Sequence, residues 1–103
     1  MPYAVVDIET TGSYANGNGI TEIAIILFDG EKEEGRYHTL LNPGMPVPRF
    51  ITTLTGISNE MLYGQPRFGE VAANIYHLLK DRVFVAHNVN FDYSFLRQAL
   101  AEH

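Results

Sequence analysis

The sequence predicts a single α/β domain built on a mixed sheet, and three observations carry that expectation. Three apolar, strand-like segments at residues 3–9, 20–29 and 36–41 are separated by turns rich in Gly, Asn and Asp. Short connections of this kind favour an antiparallel meander. A long amphipathic helix at 67–82 then leads directly into a short apolar segment, Val83 to His87, which favours a parallel crossover. The resulting order, β-β-β-α-β-α, is that of helices layered on a mixed sheet.

Each element has a local cause. The first strand is opened by Tyr3-Ala4-Val5-Val6, and residues 12–19 (GSYANGNG) are a turn cluster. The second strand, Ile20 to Asp29, is nearly continuous in Ile, Leu, Ala and Phe; Asp29-Gly30 begins the next turn, and Arg36 to Leu41 is the third strand. Asn42 to Pro48 holds three prolines and reads as a loop. A short helix from about Pro48 to Leu54 would carry Pro in its first turn. Ser58 suits the cap of a further helical turn through Leu62, stopped by Gly64. In the long helix, Phe68, Val71, Ala72, Ile75 and Leu79 fall on one face, and Glu70, Asn74, His77 and Asp81 on the other. Asn90 is the expected N-cap of a final helix, Phe91 to about Glu102. Asn16-Gly17-Asn18-Gly19 resembles a phosphate loop only superficially, because it lies between strands and not before a helix.

Composition narrows the function. A chain of 103 residues, 46% hydrophobic, forms one domain with a core. Its longest apolar run, Ile23 to Phe28, is far short of the ~20 residues of a membrane span. No secretory segment is expected at the start, where a strand begins at once. The absence of cysteine excludes disulfides and thiolate metal sites and fits a cytoplasmic protein. A net charge of −5 argues against a broad groove for duplex phosphates, but leaves room for a site that grips one chain end through metal ions.

Asp7-Ile8-Glu9-Thr10-Thr11-Gly12 is the most informative stretch. Side chains alternate along a strand, so Asp7 and Glu9 share a face at the end of an apolar run. Paired acids there repel one another and lose hydration, and a hard cation such as Mg²⁺ or Mn²⁺ relieves both costs. The plainer reading is a strand ending in charge. Asp92 lies in the first turn of the last helix, where the helix dipole alone would favour it. If the first and fourth strands are parallel neighbours, their carboxyl ends lie together and Asp92 joins Asp7 and Glu9, as sites do in open α/β sheets. Glu22 reads as a strand-end charge or an outer partner of that site. His38, in the third strand, is expected away from the acids.

Val6-Asp7-Ile8-Glu9-Thr10-Thr11-Gly12 and Ala86-His87-Asn88-Val89-Asn90-Phe91-Asp92, in this order and spacing, resemble the DnaQ-like, DEDD-type 3′→5′ exonucleases. This family includes the proofreading subunit of bacterial DNA polymerase III and RNase T. Leu54-Thr55-Gly56-Ile57 with Glu60-Met61-Leu62 is similar to the segment linking the family's third strand to its long helix. The resemblance covers essentially the whole chain. It implies an RNase H-like fold and two-metal phosphodiester hydrolysis with Mg²⁺ or Mn²⁺ about 3.5–4 Å apart. It implies Asp7, Glu9 and Asp92 as metal ligands and catalytic residues. It also implies Thr10, Thr11 and Gly12 at the terminal nucleotide, with Leu54, His87, Asn88 and Phe91 contacting its sugar or base. The partners implied are a single-stranded DNA or RNA 3′ end and a polymerase or other replication or repair protein.

The resemblance also carries an expectation of incompleteness. The family's third motif, with a fourth aspartate and a general-base His or Tyr, follows one more strand and helix, and none of it lies within residues 1–103. None of His38, His77, His87 and His103 is a natural substitute. The chain is therefore expected to be the N-terminal part of such a domain and impaired by itself. The strand at Val83–Ala86 is expected to form an open edge that favours a homodimer. Two other classes compete: a non-catalytic nucleic-acid-binding or interaction module on the same fold, and an unrelated metal-binding α/β domain.

Overall fold

In the computed structural model, residues 2–102 are described. They form a four-stranded mixed sheet with helices packed on one face. The strands are β1 (Pro2–Thr10), β2 (Ile20–Asp29), β3 (Lys32–Leu40) and β4 (Val83–Val85); the helices are α1 (Arg49–Thr55), α2 (Asn59–Leu62), α3 (Phe68–Leu79) and α4 (Val89–Glu102). The sheet order is β3-β2-β1-β4. β1–β2 and β2–β3 are antiparallel, and β4 runs parallel to β1 with Tyr3, Ala4 and Val5 opposite Val83, Phe84 and Val85.

The two faces of the sheet differ, as the alternation in β1 requires. Ala4, Val6 and Ile8 of β1 and Ile23, Ile25 and Leu27 of β2 are buried with Ile75 of α3 and Phe95 and Leu96 of α4. Tyr3, Val5, Asp7 and Glu9 lie on the opposite face and stay exposed or half-buried. Across that face Tyr3 stacks on Phe28, its partner in register, with ring centroids 5.2 Å apart. Val47, Ile57 and Leu62 form a second, smaller core beneath α1 and α2.

Several boundaries depart from expectation for local physical reasons. β3 starts at Lys32, not Arg36. It is an edge strand, and its exposed Lys32, Glu33 and Glu34 are the charged residues that protect such an edge, so apolar alternation does not mark them. Pro48 precedes α1 instead of entering it, and its carbonyl accepts the N–H groups of Ile51 and Thr52. Ser58 caps α2 as expected, accepting from Met61 N–H at 3.3 Å. α3 ends at Leu79, before Asp81 turns the chain with a φ of 62°.

The last helix begins at Val89, so Asn90 lies inside it and is not its cap. Asn88 takes that role: its Oδ1 accepts from Phe91 N–H at 3.4 Å, and its carbonyl accepts from Asp92 N–H at 3.1 Å. β4 is correspondingly shorter than Val83–His87, because His87 and Asn88 already belong to the turn into α4. No helix among the described residues is long and apolar enough to cross a membrane.

Candidate active site

The site lies at the carboxyl ends of β1 and β4. β4 pairs with β1 only as far as Val5, leaving the backbone of β1 beyond that point without a strand on this side. α4 fills the gap. The Asp92 carboxylate lies against the Ile8 N–H and its own backbone N–H, both of which favour its charged form. This contact holds a residue from the second motif against the middle of the first. Asp92 is buried (6% exposed), whereas Asp7 is exposed and Glu9 half-buried.

The electrostatics show three acids acting on one another. Burial holds the Asp92 carboxyl above its ordinary value and Asp7 pushes it further, against the lowering effect of its backbone hydrogen bonds and of nearby His87. Burial likewise raises Glu9, followed by repulsion from Asp7, Glu22 and Asp92. Among the described residues no three His, Asp or Glu side chains are gathered closely enough to cage an ion as they stand. Mutual repulsion opposes that closer approach. A cluster of hard carboxylate oxygens raised by its own charge has the donor chemistry for a divalent cation of the Mg²⁺ or Mn²⁺ type.

The raised carboxyls give a pH prediction. Folded Glu9 and Asp92 hold protons more tightly than in the unfolded chain, whose ordinary values are 4.5 and 3.8. Above those values the folded state binds more protons than the unfolded one, so stability falls as pH rises through the folded pKa values. The melting temperature of the cation-free protein is expected to rise as pH drops from neutral toward 4.5, and Asp92→Asn to flatten that rise. Glu33, held low by Arg36, acts only at lower pH. Calorimetric melting across this range checks the slope.

Residues 4–103 match the exonuclease family of RNase T. The chain belongs to this exonuclease family. Relatives include the 3′-5′ exonuclease DinG of Staphylococcus haemolyticus, 46% identical over 97 residues, and that of Staphylococcus aureus (strain USA300), 40% identical over 100 residues. The alignments cover 94% and 97% of this chain but only 11% of each relative, so the chain spans about a tenth of their length. Among solved structures, exonuclease X in complex with 5′ overhanging duplex DNA aligns with a TM-score of 0.78 and 26% identity, over 91% of this chain and 53% of that one. Exonuclease I aligns with a TM-score of 0.86 and 20% identity, over 97% and 24%. The four-stranded mixed sheet thus has the RNase H-like form expected from the motifs.

The remaining candidates divide by exposure. In this exonuclease domain Thr10 and Thr11 point their side chains inward. Thr10 Oγ1 donates to the Gly12 carbonyl at 2.7 Å. Thr11, 1% exposed, donates from Oγ1 to Asn18 Oδ1 at 2.9 Å and accepts from Gly19 N–H at 3.0 Å. This turn therefore has only its backbone and Gly12 to present. Leu54 is 79% exposed at the end of α1, so it is no core residue. Phe91 is half-buried, with its ring centroid 5.0 Å from that of Phe95, and packs on the main core. His87 and Asn88 are exposed beside Asp92, and Asn88 also serves as the helix cap.

Asn18 is a residue that sequence reasoning missed. It ties the loop to the first motif by holding Thr11 and by donating from Nδ2 to the Tyr14 carbonyl at 2.8 Å. A Cβ on Gly12 would come within 2.6 Å of Asn18 Oδ1. Gly12→Ala is therefore expected to displace the Asn18 amide and cost about 1–3 kcal/mol, the range for a buried hydrogen bond left unmade. Urea denaturation of the variant measures it.

Proposed function

We propose that this chain is the N-terminal part of a metal-dependent 3′→5′ exonuclease unit that hydrolyses phosphodiester bonds at single-stranded nucleic acid ends and releases nucleoside monophosphates. The observation that supports the proposal is the buried Asp92 carboxylate lying against the Ile8 N–H and feeling the charge of Asp7, so that the two acid motifs meet across most of the chain. A non-catalytic binding module has no use for three mutually repelling acids at this position.

In this reading Asp7, Glu9 and Asp92 hold divalent ions. Such ions, when bound, activate water and stabilise the leaving 3′ oxygen. Asp92 is oriented by the Ile8 N–H, and the Asn88 cap fixes the start of the helix that carries it. The exposed Leu54 wedges beside the terminal base and admits only an unstacked end, with Phe91 and His87 bordering the nucleotide. Asn88 and the Thr10-Thr11-Gly12 backbone complete the cradle. DNA is the favoured substrate, since exonuclease X aligns over most of the chain in a complex with DNA. A cytoplasmic role beside a polymerase or repair protein belongs to the same reading. The open edge of β4, with Val83 46% and Val85 39% exposed, supports homodimerisation, which sedimentation would show as a concentration-dependent mass.

The test is release of mononucleotides from a 3′-labelled single-stranded oligonucleotide by an exonuclease unit extended to include the family's third motif. Activity should require Mg²⁺ or Mn²⁺ and be far weaker for residues 1–103 alone. Equal rates with and without cation would refute the proposal.

A further inference from the structure

Glu22 and His38 lie on the open face of the sheet, outside the three acids assigned above. Glu9 and Glu22 face one another in the β1–β2 register, where like charges directly opposite destabilise a sheet. The register shifts immediately beyond this pair, between Glu9 and Thr10. His38 pairs with Ala24, so it sits diagonally from Glu22 on the same face. Its Nε2 lies 2.6 Å from Glu22 Oε2. Glu22 thus stands between His38 and Glu9. The Glu22 and His38 side chains are 31% and 58% exposed, so burial does not account for the contact.

We infer that Glu22, held by His38, is a supporting acid that keeps a negative charge beside Glu9 and strengthens the hold of the site on a divalent cation. The inference rests on the metal reading of Asp7, Glu9 and Asp92. His38 holds the Glu22 carboxylate in place on the open face of the sheet, beside Glu9. Glu9 then has a held negative charge on its β2 side in addition to the larger repulsion from Asp7 within β1. The Glu22 charge lies near enough to act on Glu9 and so attracts a cation held beside it. Removing the Glu22 charge therefore weakens cation binding. Glu22 makes no contact with the reacting atoms in this account.

The experiment is calorimetric titration of residues 1–103 with Mn²⁺ at pH 8, with melting temperature recorded for every variant. Glu22→Gln keeps the size and an acceptor for His38 but removes the charge. It is expected to weaken Mn²⁺ binding about three- to tenfold, the scale of one partly screened charge acting on a divalent ion, with little change in melting temperature. His38→Ala should weaken binding in the same direction, and His38→Gln, whose amide can donate to Glu22, should restore it. A role in sheet stability alone would move melting temperature and leave affinity untouched. Affinity of Glu22→Gln or His38→Ala within twofold of the parent overturns the inference. Asp7→Asn separates this failure from failure of the metal reading. If Asp7→Asn loses binding while Glu22→Gln does not, only the supporting pair is wrong. If Asp7→Asn binds as the parent does, the metal assignment itself fails.

Discussion

Asp7→Asn is expected to abolish divalent-cation binding and to lower exonuclease activity by at least about a hundred- to a thousandfold, the scale seen when one preorganised electrostatic group is removed from an active centre. Asn has the shape of Asp but no charge. Asp7 is exposed and its side chain contributes nothing to the core, so the fold should be retained. The loss is expected because Asp7 acts on both other acids: it raises Glu9 and Asp92 alike. Among the described residues no other stands in that relation to both. Glu33→Gln is the matched control. Glu33 is bound to Arg36 at 2.6 Å on the surface of β3, and exposed ion pairs contribute little. Single-turnover cleavage of a labelled oligonucleotide by the extended unit, with calorimetric Mn²⁺ titration, measures both consequences. Retained binding with lost activity would make Asp7 catalytic without being a ligand.

Phe95→Ala should be the most damaging single change to stability, costing about 3–5 kcal/mol, as for aromatic truncations in packed cores. Phe95 is 3% exposed and belongs to the core formed by β1, β2, α3 and α4. Its ring also supports Phe91 one turn earlier. For a domain whose total stability is about 5–15 kcal/mol, this loss takes much of the margin. The functional effect follows from position. α4 carries Asp92 and is held to the sheet through Phe95 and Leu96, which are buried one turn further along. Loosening that anchor releases Asp92 from the Ile8 N–H before the rest of the sheet opens. Cation affinity in Phe95→Ala is therefore expected to fall at temperatures where far-ultraviolet dichroism still reports native secondary structure.

How far the fold and site are legible in sequence depends on the range of the interactions involved. β2 is legible from Ile20 to Asp29 because it is nearly continuous in apolar residues. α3 is recognisable from its stripe of Phe68, Val71, Ala72 and Ile75; the hydrogen bond from Arg67 N–H to Glu70 at its start is visible only in the structure. The start of β3 was not legible, since a charged edge carries no alternation. The cap of α4 was misplaced by two residues because Asn88 and Asn90 are equally good capping residues, and the local choice falls to the turn after β4. The pairing of Asp7 with Glu9 followed from period two alone. The approach of Asp92 to them depends on the parallel β1–β4 pairing, a long-range contact that no local pattern in the sequence encodes. Asn18 and His38 were beyond reach: each acts through a partner seven or sixteen residues away, across a turn or a strand register that the sequence does not number.

The central claim is that Asp7, Glu9 and Asp92 together hold the catalytic cations. Anomalous diffraction from crystals of this chain soaked in millimolar Mn²⁺ tests it most directly. The predicted result is a Mn²⁺ peak between the carboxylates of Asp7, Glu9 and Asp92, lost in Asp7→Asn crystals. A structure with no peak at these acids, or with the Asp92 carboxylate turned to solvent away from Asp7, would contradict the account.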